Sequence, residues 1–133
     1  MRMTRHQLRE TIFLLLFRIE FNTAEELADQ VDEYFLDHPE IKKADEAYIR
    51  EKLQAIVANL PEYDQKIREI CEGWRINRLG KTELTILRLA IYEILTDDDI
   101  PVGVAINEAV ELARIYCSEE APRFVNGVLA KLA

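Results

Sequence analysis

The chain has 133 residues, 49% of them apolar, which fits one domain with one hydrophobic core. Only 4 Gly and 4 Pro, and no run of alternating apolar and polar residues, point to an all-helical protein with short connections. The net charge of −8 argues against a general nucleic-acid binder, and no apolar stretch reaches the roughly 18 residues of a membrane span.

In chain order, Thr4 with Gln7 fits the capping-box pattern and opens a helix over about 5–21. Its apolar stripe is Leu8, Ile12, Leu15, Leu16 and Ile19. Thr23 with Glu26 opens a second helix, 24–37, with Leu27, Val31, Tyr34 and Phe35 inward. Pro39 breaks the chain, and Asp45 is the expected cap of a third helix, 46–59, carrying Ile49, Leu53, Ile56 and Val57. Pro61 suits the first turn of a fourth helix, 61–73, which Gly73 can end. After the basic connector 74–81, Thr82 is the expected cap of "ELTILRLAIYEIL". That segment is apolar nearly all round, the signature of a central helix. A sixth helix follows over 102–117 and a seventh over 120–132. In the seventh, Pro122 is tolerable only near the start. Gly127, costly in a helix interior, predicts close packing on a neighbouring helix, and Asn126 a bond to another segment's backbone.

Charge is unevenly spread. Residues 1–18 carry Arg2, Arg5, Arg9 and Arg18 against Glu10, whereas residues 19–73 hold 6 basic and 15 acidic residues. At about 100° per residue, Arg2, Arg5 and Arg9 cluster on one side of the first helix, with His6 beside them and Phe13 and Phe17 further along. Guanidinium groups with aromatics below suit phosphates and unstacked bases. The same pattern also fits a solvated helix face with the aromatics in the core.

Catalytic patterns are absent: neither His6 nor His38 sits in a recognisable nucleophile arrangement, and no Gly-rich loop exists to hold phosphate. His6 and Glu10 at i, i+4 are a weak metal pair, and Asp97, Asp98 and Asp99 lack calcium-loop spacing. No metal or cofactor is expected. Cys71 and Cys117, 46 positions apart, read as reduced core thiols of a cytoplasmic protein. Glu108 and Glu111 share a helix face, with Arg114 placed to offer an ion pair.

"LRLAIYEIL", then "DIPVGVAINEAVELARIY", then "RFVNGVLAKL" resemble the NusB family of bacterial transcription antitermination factors. With the N-terminal "TRHQLRETIFLLLF" the resemblance covers essentially the whole chain. It implies an all-α fold of about seven helices in two subbundles, here one domain over 1–133, and no enzymatic activity. It implies binding of boxA, a short single-stranded RNA element of ribosomal RNA operons, together with the ribosomal protein NusE. It further implies assembly with other Nus factors and RNA polymerase that promotes processive rRNA transcription, and a free state that is a monomer or a homodimer. By position, the RNA-binding set would be Arg2, Arg5, His6, Arg9, Arg88, Glu120, Arg123 and Phe124, and the partner-binding set Phe17 and Glu83. The family more often has Arg at His6 and Tyr at Phe17. Asn107 and Glu108 fall in the most characteristic motif and read as structural, with Asn107 buried at a helix junction. A reading of another class remains open: a helical adaptor that binds protein only, through acidic helices 2–4.

Overall fold

The computed structural model describes residues 2–71 and 79–133. Among them are seven α-helices, one short 3-10 turn and no strand. The expectations placed on Gly73, Trp74, Arg75 and Arg78 lie outside the described residues.

One compact unit spans Met1–Ala58. Its helices are α1 (Arg5–Phe17), α2 (Ala24–Asp37) and α3 (Lys43–Ala58), with a 3-10 turn at Arg18–Glu20. Both capping boxes form. The Thr4 and Thr23 hydroxyls accept from the Gln7 and Glu26 amides at 3.1 Å, and those two side chains accept from the threonine amides at 2.9 Å. Four orphan donors are thereby satisfied at two helix starts. α1 ends four residues earlier than its pattern suggests, because the chain tightens into the 3-10 turn, and Ile19 is only half-buried. Leu8, Ile12, Leu15 and Leu16 are buried, as are Leu27, Val31, Phe35, Ile49, Leu53 and Ile56. α1 packs on α3, and α2 rests on α3 and on the 3-10 turn.

Asp45 does not cap α3, which begins two residues before it. Its carboxylate instead accepts from the Met3 amide and from Arg2 Nε, each at 2.9 Å. A residue inside the first turn can be spared for this because the helix already starts ahead of it.

The second unit spans Asn59–Ala133, with α4 (Leu60–Ile70), α5 (Lys81–Thr96), α6 (Val102–Tyr116) and α7 (Ala121–Ala130). α5 is central to it, packing on α4, α6 and α7. Leu84, Ile86, Leu87, Leu89, Ala90 and Ile91 are buried, though Leu95 in its last turn is exposed. Each large aliphatic buried there contributes about 1.5–3 kcal/mol relative to exposure. The cap of α5 is Gly80, not Thr82. The Glu83 carboxylate folds over Gly80 so closely that a Cβ there would lie 2.0 Å from Oε2. Glycine at the cap leaves that space open, and Thr82 falls within the helix.

Pro122 sits in the first turn of α7, as expected. The expectations for its neighbours fail. A Cβ on Gly127 would meet nothing within 4 Å, and Gly127, Asn126 and Asn107 are all exposed. None of the three is buried, whereas Ala109 and Ala113 of α6 and Val125 and Leu129 of α7 are, and the two helices pack on each other. Among the described residues, no helix is long and apolar enough to cross a membrane.

Candidate nucleic-acid interface

The basic end of the first unit is thinner than its sequence. Arg5 and His6 are exposed, at the very start of α1. Arg2 is 65% exposed at its side chain but is tied through Nε to Asp45. Arg9 is buried, with 5% of its surface accessible, so it does not join an exposed guanidinium row. The helical wheel gives the reason. At about 100° per residue, Arg9 falls between Leu16 and Phe13, and both are buried. Arg5 projects from the same sector but stands ahead of the packed turns. Phe17 is half-buried, and its ring meets Phe21 edge to face at 5.4 Å. Phe21, 62% exposed, was not picked out from sequence. Its spacing of four from Phe17 is the signal that could have found it.

In the second unit, Glu83, Glu120 and Phe124 come together. They line one cleft of about 320 Å³ with Leu79, Gly80, Ser118 and Ala121. The cleft lies between the start of α5 and the start of α7, so the two helix caps set its walls. A neighbouring cleft of about 380 Å³, across the α6–α7 turn, is lined by Arg114, Cys117, Ser118, Glu119, Pro122 and Arg123. Arg123 is exposed, and Phe124 is half-buried. Arg114 donates to Glu111, the ion pair its spacing suggested.

Cys117 links the two clefts. Burial, and then a hydrogen bond from its thiol to the Glu83 carboxylate together with that group's charge, push the thiol up to about 12. It is therefore a neutral donor at pH 7 rather than a nucleophile. Cys71 is likewise a free, buried thiol raised by burial.

Arg88 does not reach either cleft as an available cation. It is buried in α5 and donates through Nε and Nη2 to the two Asp64 oxygens at 2.7 and 2.8 Å. Its charge is spent on joining α5 to α4. Among the described residues, no group of three or more His, Cys, Asp or Glu is placed to hold a metal ion. Arg5, His6 and Arg123 offer cations or donors to phosphate. Phe124 offers an apolar surface, and the Glu120 carboxylate is an acceptor of the kind an amine donor needs.

Residues 6–133 match the model of the NusB family. The transcription antitermination protein NusB of Agathobacter rectalis is 49% identical over 133 residues, covering 98% of this chain and 100% of that one. The structure of T. maritima NusB superposes with a TM-score of 0.89 at 38% identity, covering 100% of this chain and 92% of that one. NusB solved with NusE in complex with dsRNA superposes with a TM-score of 0.79 at 29% identity, covering 98% and 97%.

Proposed function

Because this chain belongs to the NusB family, we propose that it is a transcription antitermination factor. It binds boxA-type single-stranded RNA of ribosomal RNA operons together with NusE, and so promotes processive rRNA transcription. The observation that carries this reading is the similarity, along almost the whole chain, to a NusB solved with both NusE and RNA.

The mechanism follows from the charge distribution. With a net charge of −8 the protein cannot coat RNA. It holds a short strand at a few points instead. Arg5, His6 and Arg123 receive phosphates, with Arg2 contributing what Asp45 leaves of it. Phe124 stacks on a base, and Glu120 accepts from a base amine at the rim of the same cleft. A carboxylate beside the aromatic favours base edges over backbone, which turns weak charge attraction into selectivity. Phe17 and Glu83 serve the NusE contact. The partner adds the surface that the thinned basic helix lacks, and the pair joins other Nus factors and RNA polymerase in the cytoplasm.

Anisotropy titration of a labelled boxA-type RNA tests the reading, with and without NusE and with a duplex of the same sequence alongside. Saturable binding to the single strand, tightened by NusE, is expected. Absence of saturable binding in both arms overturns RNA recognition and leaves a protein-only adaptor. Equal affinity for the duplex overturns base recognition.

A further inference from the structure

We propose that the trough between α2 and α3 is a docking groove for a basic amphipathic helix of a partner protein. The trough encloses about 470 Å³ within the first unit. Leu27, Val31, Leu53 and Val57 form its apolar lining, and Ala24 and Ala28 keep the α2 wall low. Ala24 and Ala28 are exposed, four residues apart on one helix face, so a third helix can approach the α2 backbone closely. The lined stretch of each helix runs about two and a half turns, room for anchors at i, i+3 or i+4, and i+7.

Charge chooses the occupant. α2 carries Glu25, Glu26, Asp29, Asp32, Glu33 and Asp37 and no cation. On the helical wheel, Glu25, Asp29 and Asp32 stand beside the Ala24–Ala28 wall, and all three are exposed. Exposed Glu51 adds to the α3 side. Arg50, the one cation lining the trough among the described residues, is already engaged. It donates to Asp32 at 2.8 Å and Glu46 at 2.9 Å, and its guanidinium lies 4.9 Å from the Phe35 ring centre. It offsets Asp32 and leaves exposed Glu25, Asp29 and Glu51 to keep the rim acidic. Phosphate would be repelled here, and a second copy docked through the same patch would set one acidic rim against another. A helix with an apolar stripe flanked by Lys or Arg satisfies both the lining and the rim.

The probe is a labelled helical peptide of about four turns, with leucines at i, i+3 and i+7 and lysines on the flanks. A matched peptide with glutamates on the flanks is the control. The full chain is expected to bind the lysine peptide saturably, at least about tenfold more tightly than the glutamate peptide, with affinity falling as salt rises. Ala28→Trp fills the trough from an exposed position and should abolish binding while the melting temperature stays near wild type. If that variant fails to fold, Gln54→Trp serves from the opposite wall. Equal binding of the two peptides, or full binding by the filled variant, overturns the proposal. So does displacement of the peptide by boxA-type RNA, or self-association that the tryptophan abolishes in a chain that binds no peptide.

Discussion

Arg88 and Asp64 form a two-point ion pair, 2.7 and 2.8 Å, that joins α5 to α4 with both side chains largely out of solvent. The pair turns a residue expected on the RNA surface into a brace of the second unit. Removing Arg88 strands the Asp64 carboxylate with little water around it. Arg88→Ala should therefore lower stability by about 3 kcal/mol, the low end for breaking a buried pair. Chemical denaturation measures it. A variant of unchanged stability and weakened RNA binding would return Arg88 to the RNA surface.

The two neighbouring arginines of α1 should separate cleanly. Arg9 is buried, and its truncation removes packing as well as charge. Arg9→Ala should cost about 1–3 kcal/mol of stability. Arg5 is exposed, so Arg5→Ala should leave the melting temperature alone and flatten the salt dependence of RNA binding by about 0.7 in log–log slope. Phe124→Ala should weaken binding by about 1–3 kcal/mol if a base stacks there. Thermal melts beside RNA titrations of the three variants decide each assignment.

The Cys117–Glu83 contact gives a spectator test of the cleft. The thiol is pushed up to about 12, by burial first and then by Glu83. Glu83→Gln removes the negative charge, so the thiol's midpoint should fall and its alkylation by iodoacetamide at pH 8–9 should quicken. Peptide mapping distinguishes Cys117 from Cys71. An unchanged rate would mean that the two side chains do not meet in solution.

Asp45 predicts a pH dependence of definite sign. The Met3 amide chiefly, opposed by burial and helped by Arg2, holds its carboxyl below the usual aspartate range. A group depressed in the folded state contributes stability above its unfolded value, about 3.9, and loses it as pH falls through the folded value. Asp45→Asn should therefore lower the melting temperature at pH 7, and the gap to wild type should narrow below about pH 4. A gap that is constant with pH would rule out the tether.

Gly127 has open space where a Cβ would go and lies within a helix. Gly127→Ala should raise stability by about 0.5–1 kcal/mol. Destabilisation would mean that the position is packed after all.

Local signals in the sequence carried most of the fold. The threonine capping boxes, the proline at the start of α7 and the apolar surround of α5 each act within one or two turns, so pattern alone located them. Side-chain fate was less legible. Arg9 and Arg5 share a helix sector, and only the point at which packing begins separates the buried one from the exposed one. Arg88 meets Asp64 across 24 positions of sequence, and no periodicity encodes that. Gly127 looked like a packing contact because a glycine in a helix is costly, yet nothing presses on it. The gathering of Glu83 and Phe124 at one cleft depends on how α5 and α7 pack. Resemblance selected those residues, and composition could not.

The most direct test of the central claim is the salt dependence of boxA-type RNA binding by this chain in the presence of NusE, compared with NusE alone. With Arg9 and Arg88 withdrawn from the surface, about three phosphates remain for the chain to neutralise. Its contribution to the log–log slope should be near −2, and Arg5→Ala should reduce it. A complex whose affinity and slope match those of NusE alone would contradict the claim that this acidic protein holds a short RNA strand at a few points.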